Sequence, residues 1–316
     1  MTSSVLELRN VSKSFGDLRA VDDLSLSISP GSVYGFLGPN GAGKTTTIRM
    51  ILDILKPSSG TITVLGQTSV SRVRGRLGYL PEEKGLYKKM RTWAVIAYFA
   101  ILKGVDRQTA RKRAFALLEQ YGLKDFANAR TEALSKGMAQ KVQVLSAIAH
   151  DPELVILDEP FSGLDPVNQQ VMEELVRDLA ARGRTILFST HVMQHAERLC
   201  TRIVIIAKGR KLFDGDLADA RRTLPRRVSV GTVDDPTPLR QVSGVLSLKK
   251  APGNLPQDGL AQTWDLEVHE RADPQAILQA CFTYGVRLSS FQCSEPTLHD
   301  VFVHLVGAEA KEVTIQ

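Results

Sequence analysis

The chain has 316 residues, 43% hydrophobic and 23% charged, which excludes intrinsic disorder and leaves room for one large domain plus a smaller one. Its formal net charge of +6 predicts an anionic neighbour, for which nucleotide, nucleic acid and an acidic membrane face all qualify. Three cysteines at unrelated spacings, Cys200, Cys281 and Cys293, argue against a disulfide framework or a zinc ribbon and fit a reducing compartment.

The start, "MTSSVLELRN", lacks a basic segment followed by an apolar run, so no signal peptide is expected. "LSLSI" (24–28) alternates with period two, and a Pro-Gly turn leads to "VYGFL" (33–37), a short apolar strand that feeds a glycine loop. The helix expected next carries Ile48, Ile51, Leu52 and Leu55 at i, i+3, i+4 and i+7, with Pro57 beyond its end. "TITVLG" (61–66) reads as another strand. From Thr92 to about Gly122 the pattern is helical, with Arg111, Lys112 and Arg113 on its surface. The longest uncharged run, Thr92 to Leu102, falls well short of the ~20 residues that span a bilayer, so a soluble chain, or one held at a membrane by a partner, is expected.

Strands return at "ELVILDEP" (153–160) and "RTILFST" (184–190). The helix between them gathers Val171, Met172, Leu175, Val176 and Leu179 on one face and stops at Gly183. Strand, helix and strand joined by short loops imply a parallel sheet covered by helices, interrupted by a helical subdomain at about 88–150. After about residue 222 the character changes, through "ARRTLPRR" into loops marked by Pro236, Pro238, Pro252, Gly253 and Pro256. "TWDLEVH" (263–269) reads as a half-exposed strand and "DPQAILQACFTYG" (273–285) as a helix with an Asp cap, Pro at its first position and a terminating glycine. "EPTLHDVFVHLVG" (295–307) brings Leu298, Val301, Phe302 and Leu305 to one helical face. The expected organisation is an α/β domain over 1–222 and a small α+β domain over 223–316.

"GPNGAGKT" (38–45) fits G-x-x-x-x-G-K-[ST] between a strand and a helix, the context that the motif requires. Such a loop turns successive backbone N–H groups inward, and the helix N-terminus adds partial positive charge, so it holds phosphate. Gly38, Pro39, Asn40, Gly41, Ala42, Gly43, Lys44, Thr45 and the adjacent Thr46 form the expected nucleotide cradle. Lys44 is placed to reach the β- and γ-phosphates, and the Thr45 hydroxyl to ligate Mg²⁺. A P-loop also needs an acidic residue beside the metal. "LVILDEP" supplies Asp158 for that task and Glu159 to orient or deprotonate an attacking water.

With "LSKGM" (134–138), "SGLD" (162–165) and the histidine of "FSTHVM" added, the order of motifs over residues 4 to 220 resembles the ATP-binding subunit of an ABC transporter. The resemblance implies a P-loop NTPase domain of the ABC type, with a mixed sheet and a helical subdomain, that binds ATP with Mg²⁺ and hydrolyses it. It implies that Phe15 stacks on adenine, core packing being the alternative for that residue. It further implies that Asp158 is the metal carboxylate, Glu159 the general base and His191 the contact to the γ-phosphate. Ser135 and Gly137 belong to the signature helix, which faces the nucleotide of the other subunit, and Asp165 to the loop that crosses to it.

Two departures stand out. Glu82, in "YLPEEKGLY", occupies the place of the family's usual glutamine, where its carboxylate can still face Mg²⁺ and take part in catalysis. Lys136 and Met138 replace the glycine and glutamine of the common signature. Both variants resemble the exporter branch whose ATPases carry a small C-terminal domain. The expected partners are a polytopic membrane permease and a second copy of the chain or a paralogous ATPase subunit, with no nucleic acid. The expected location is the cytoplasmic face of the cell membrane, held there by the permease.

Other readings compete less well. His191 and His195 are spaced like zinc ligands, but "HVMQH" lacks the glutamate of H-E-x-x-H. "ARRTLPRR" has no interleaved aromatic and fits a solvated linker better than a nucleic-acid contact. The run near Trp93 fits a groove for a partner's helix as well as core packing. A non-transport ABC ATPase is the alternative function, but translation factors of that kind usually carry two cassettes and repair ATPases carry long coiled-coil inserts.

Overall fold

The computed structural model describes residues 4–83, 85–251 and 261–312. Residues 1–3, Lys84 and the expected loop positions Pro252, Gly253 and Pro256 lie outside them. Two compact units are present, Met1–Leu217 and Ala218–Gln316. Arg222, at the expected boundary, pairs with Glu270 at 3.2 Å within the second unit.

The first unit holds two sheets. One is antiparallel, with strands β1 (Leu6–Phe15), β2 (Leu18–Ile28) and β4 (Ser59–Val64) in the order β2-β1-β4. The other has the order β5-β6-β7-β3-β8-β9, built from β3 (Val33–Leu37), β5 (Leu77–Leu80), β6 (Leu154–Asp158), β7 (Thr185–Thr190), β8 (Arg202–Ala207) and β9 (Arg210–Asp216). It is parallel except for β9, which runs antiparallel to β8 at the edge. Every residue of β3, β6 and β7 is buried, as expected for parallel strands covered on both faces.

The expected parallel sheet is thus present, while "TITVLG" joins the antiparallel sheet instead. The strand expected at 24–28 begins at Leu18, since β2 pairs with β1 along its length.

Helix α1 (Lys44–Ile51) is shorter than its apolar stripe. Asp53 adopts φ of 58°, and the amides of Ile54 and Leu55 both return to the Arg49 carbonyl, which ends the helix. Leu52 and Leu55 still pack against the core as partly buried residues of the following turn. That core joins Leu6, Leu8 and Ile28 of the antiparallel sheet to Phe36, Ile48 and Ile156, so the strand and helix flanking the glycine loop are fixed by one apolar cluster.

The helical stretch expected from 92 to 122 is two helices, α2 (Thr92–Leu102) and α3 (Arg107–Gln120). The break falls at Gly104, and Asp106 caps α3 by accepting the amide of Thr109 at 2.9 Å. α4 (Lys136–Ile148), α5 (Pro166–Ala181) and α6 (Met193–Leu199) follow, and α7 (Leu217–Arg222), but for Leu217, opens the second unit. In α5, Met172, Leu175, Val176 and Leu179 are buried while Val171 is only partly so.

The second unit is α+β. Strands β10 (Arg226–Thr232), β11 (Val245–Lys250), β12 (Gln262–Val268) and β13 (Leu288–Ser294) form an antiparallel sheet in the order β11-β12-β10-β13. Helices α8 (Pro274–Thr283) and α9 (Leu298–Glu312) complete it. Asp273 caps α8 through the Gln275 amide, and Ile277 and Cys281 pack on Val228, Val230, Leu266 and Val268. No helix among the described residues is long and apolar enough to cross a membrane.

Candidate functional site

The glycine loop links the buried end of β3 to the start of α1 and forms one wall of a cleft of about 400 Å³. Pro39, Asn40, Gly41, Ala42, Gly43, Lys44, Thr45 and Thr46 line it together with Phe15, Glu82 and Glu159. Gly43 is required at the helix N-cap: its φ is +98°, and a Cβ there would lie 2.5 Å from the Ala20 carbonyl oxygen. Phe15 is 48% exposed, with the Lys13 ammonium 5.2 Å from its ring centre, so it belongs to the cleft and not to the core.

Lys44 is buried, and its Nζ donates to the carbonyls of Gly38 at 2.6 Å and Pro39 at 3.1 Å. The Glu159 carboxylate stands 3.7 Å from the same amine. Burial pushes the Lys44 ammonium below its ordinary pKa, opposed by the charges of Glu159, Asp158 and Glu82, which favour the protonated form.

Asp158 ends β6 beside the end of β7, in parallel register opposite Ser189, and Glu159 follows it. The Ser189 hydroxyl donates to Asp158 Oδ1 at 2.5 Å and accepts the Glu159 amide at 3.0 Å. Glu159 itself has φ of 48°, an uncommon left-handed conformation for a side-chain-bearing residue. His191 Nδ1 lies 2.9 Å from Glu159 Oε1. Asp158 is 1% exposed, and its Oδ2 has no hydrogen-bond partner among the described residues. A buried carboxylate oxygen without a partner fits a cation.

Ser135, Gly137 and Asp165 do not line this cleft. They meet at a separate place, where two helices start side by side. Ser135 caps α4 by accepting the Met138 amide at 3.3 Å, and Asp165 caps α5 through the Asn168 amide at 2.9 Å. A Cβ on Gly137 would fall 2.4 Å from Asn168 Nδ2, an atom that also donates to Asp165 Oδ2 at 2.6 Å. A side chain at this position would displace the Asn168 carboxamide from Asp165. Lys136 is exposed there. His191 and His195 do not converge: His195 Nδ1 is 3.1 Å from Glu173 Oε1, and its ring stacks on Phe161 at 4.0 Å.

Three residues of these arrangements were not anticipated. Ser189 was detectable as the residue two before His191 at a strand end. Gln140, whose Nε2 donates to the Pro160 carbonyl at 3.2 Å, and Asn168 carried no local signal.

A phosphate-binding loop on a parallel sheet, with buried carboxylates at the end of the neighbouring strand, defines a P-loop nucleoside triphosphatase. Residues 21–162 match the family described as ABC transporter, and residues 215–306 that described as ATP-binding protein DrrA1-3-like, C-terminal domain. The chain is 40% identical over 305 residues to the uncharacterized ABC transporter ATP-binding protein YhaQ of Bacillus subtilis (strain 168), covering 96% of this chain and 99% of that one. It is 41% identical over 218 residues to the Nod factor export ATP-binding protein I of Burkholderia orbicola (strain AU 1054), covering 68% and 72% of the two chains. A solved ATP-binding subunit of an ABC transporter matches with a TM-score of 0.64 at 32% identity, over 70% of this chain and 93% of that one. The chain belongs to the ABC transporter ATP-binding proteins. It binds ATP and hydrolyses it to power a transporter.

Proposed function

We propose that the chain drives an exporter as one of two nucleotide-binding subunits that ATP brings together and hydrolysis releases. One observation carries the catalytic part: Glu159 Oε1 stands 2.9 Å from His191 Nδ1 and 3.7 Å from Lys44 Nζ at the glycine-loop cleft. Lys44 leaves the Gly38 and Pro39 carbonyls to grip the β- and γ-phosphates, and the loop amides hold the remaining oxygens. Phe15 offers its exposed ring to the adenine. Thr45 and Asp158, with Glu82 across the cleft, hold Mg²⁺, which neutralises charge on the phosphate oxygens. Glu159 takes the proton of the attacking water, and His191 orients that carboxylate and meets the γ-phosphate.

Dimer action is supported by the signature residues. Ser135, Gly137 and Asp165 sit at two helix starts away from their own cleft, where they are available to another copy or to a paralogous subunit. Export is supported by the relative named for Nod factor export and by the DrrA-like second unit. A permease is the expected partner. An apolar cavity of about 300 Å³ lined by Tyr79, Leu80, Pro81, Phe99 and Ala147, next in sequence to Glu82, gives its cytoplasmic helix a seat. The chain then works at the cytoplasmic face of the cell membrane.

The permease reading is tested by isolation from detergent-solubilised membranes. Copurification with a polytopic protein is expected, and recovery with ribosomes or DNA overturns it. For the second unit we propose dimer contact or regulation. A chain ended at residue 222 is expected to change in dimerisation or ATP turnover, and full retention of both removes that role.

A further inference from the structure

We propose that Gln140 is a positioning residue for hydrolysis: its buried carboxamide, reaching from the signature helix α4 to the Pro160 carbonyl, fixes the turn that presents Glu159. The inference rests on the reading of Glu159 as the base.

Glu159 is held at φ of 48°, and such a conformation persists in a side-chain-bearing residue only when its surroundings determine it. On the N-terminal side the Ser189 hydroxyl takes the Glu159 amide. Within the turn, the Ser162 amide donates to the Glu159 carbonyl at 3.1 Å. Beyond it, Phe161 packs edge-on to Phe188 and face-to-face with His195. The peptide between these anchors is that of Pro160, whose carbonyl accepts from Gln140 Nε2 at 3.2 Å. The direction of the carboxamide is fixed by chemistry, because a carbonyl oxygen can only accept.

Gln140 is 2% exposed, and its Oε1 has no hydrogen-bond partner among the described residues. Folding alone does not account for that choice. A buried position on a core-facing helix is filled at lower cost by an apolar side chain than by an amide that leaves one oxygen unpaired. The amide is explained by the carbonyl it holds, which belongs to the residue after Glu159.

On the same helix Gln140 also lies less than one turn from Gly137 and little more than one turn from the Ser135 cap. A shift of the helix start toward a partner's nucleotide is therefore transmitted through a single side chain to the Glu159 turn. Closure of the other site and aim of this base become one event.

The test compares Gln140→Met, which keeps the volume and removes the donor, with Gln140→Leu, which also removes the donor. Both are measured beside Glu159→Gln. In Gln140→Met one buried unpaired oxygen, Gln140 Oε1, is exchanged for another, that of Pro160, so the melting temperature should stay close to wild type. In both variants kcat should fall about tenfold to a hundredfold, as a misaimed base requires, while KM for ATP stays within about twofold. Wild-type kcat in folded variants overturns the proposal, and so does a parallel loss of kcat, ATP affinity and melting temperature, which marks packing alone. If Glu159→Gln is inactive and Gln140→Met is not, only the role of Gln140 falls. If Glu159→Gln itself turns over ATP, the reading of the base falls and this inference with it.

Discussion

His191 Nδ1 and Lys44 Nζ approach the same oxygen of Glu159, at 2.9 Å and 3.7 Å, although Glu159 follows β6, His191 follows β7 and Lys44 opens α1. One carboxylate oxygen thus faces both the Lys44 ammonium and the His191 imidazole. Replacing His191 by Ala removes the second partner and leaves the first. We expect kcat to fall at least about tenfold with nucleotide affinity nearly unchanged, measured by steady-state ATPase assay beside calorimetric ATP binding.

Lys44 lies buried on two carbonyls of its own loop, and in the proposed function it exchanges them for phosphate oxygens. Lys44→Ala removes a charge-assisted contact of about 1.5–3 kcal/mol, which corresponds to roughly a tenfold to hundredfold rise in Kd for ATP. Titration calorimetry reads it directly, and an unchanged Kd would show that the lysine does not meet the nucleotide.

His150 gives the first unit a pH dependence remote from the glycine loop. Its ring is 8% exposed and accepts no charge readily: burial pushes its pKa from 6.5 down to about 4, while Nε2 stays bonded to the Leu77 carbonyl at 2.9 Å. Since the unfolded chain binds the proton more readily, stability is unaffected above pH 6.5 and declines as pH falls toward 4. The shift corresponds to about 2–3 kcal/mol at most, because local opening and solvent entry reduce it. Melting temperatures of wild type and His150→Gln, recorded across that window, should converge as the pH falls, the wild type losing more. Parallel curves would contradict the assignment.

The phosphate loop was legible because its chemistry is local: eight consecutive residues carry the loop, the lysine and the hydroxyl. Asp158 and Glu159 were legible for the same reason, as the acidic end of an apolar strand. β1 was not, because its alternation is broken by register shifts after Leu8 and Val11 that place two adjacent exposed residues within the strand. The contact of Ser189 with Asp158 depends on β6 and β7 being neighbours in register, and that of Gln140 with Pro160 on where α4 lies over the sheet. Neither is a property of nearby residues. The apolar stripe that predicted a longer α1 was real, but it continues over a turn, since burial constrains which side chains face the core and not the backbone that carries them.

In the proposed cycle Glu159 converts ATP binding into release of a closed dimer, and Glu159→Gln should separate the two steps. Size-exclusion chromatography and ATPase assay of this variant with Mg²⁺-ATP should show retained nucleotide binding, turnover nearly abolished and a dimer that persists for as long as ATP is present. Wild-type turnover, or a monomer at saturating ATP, would contradict the account.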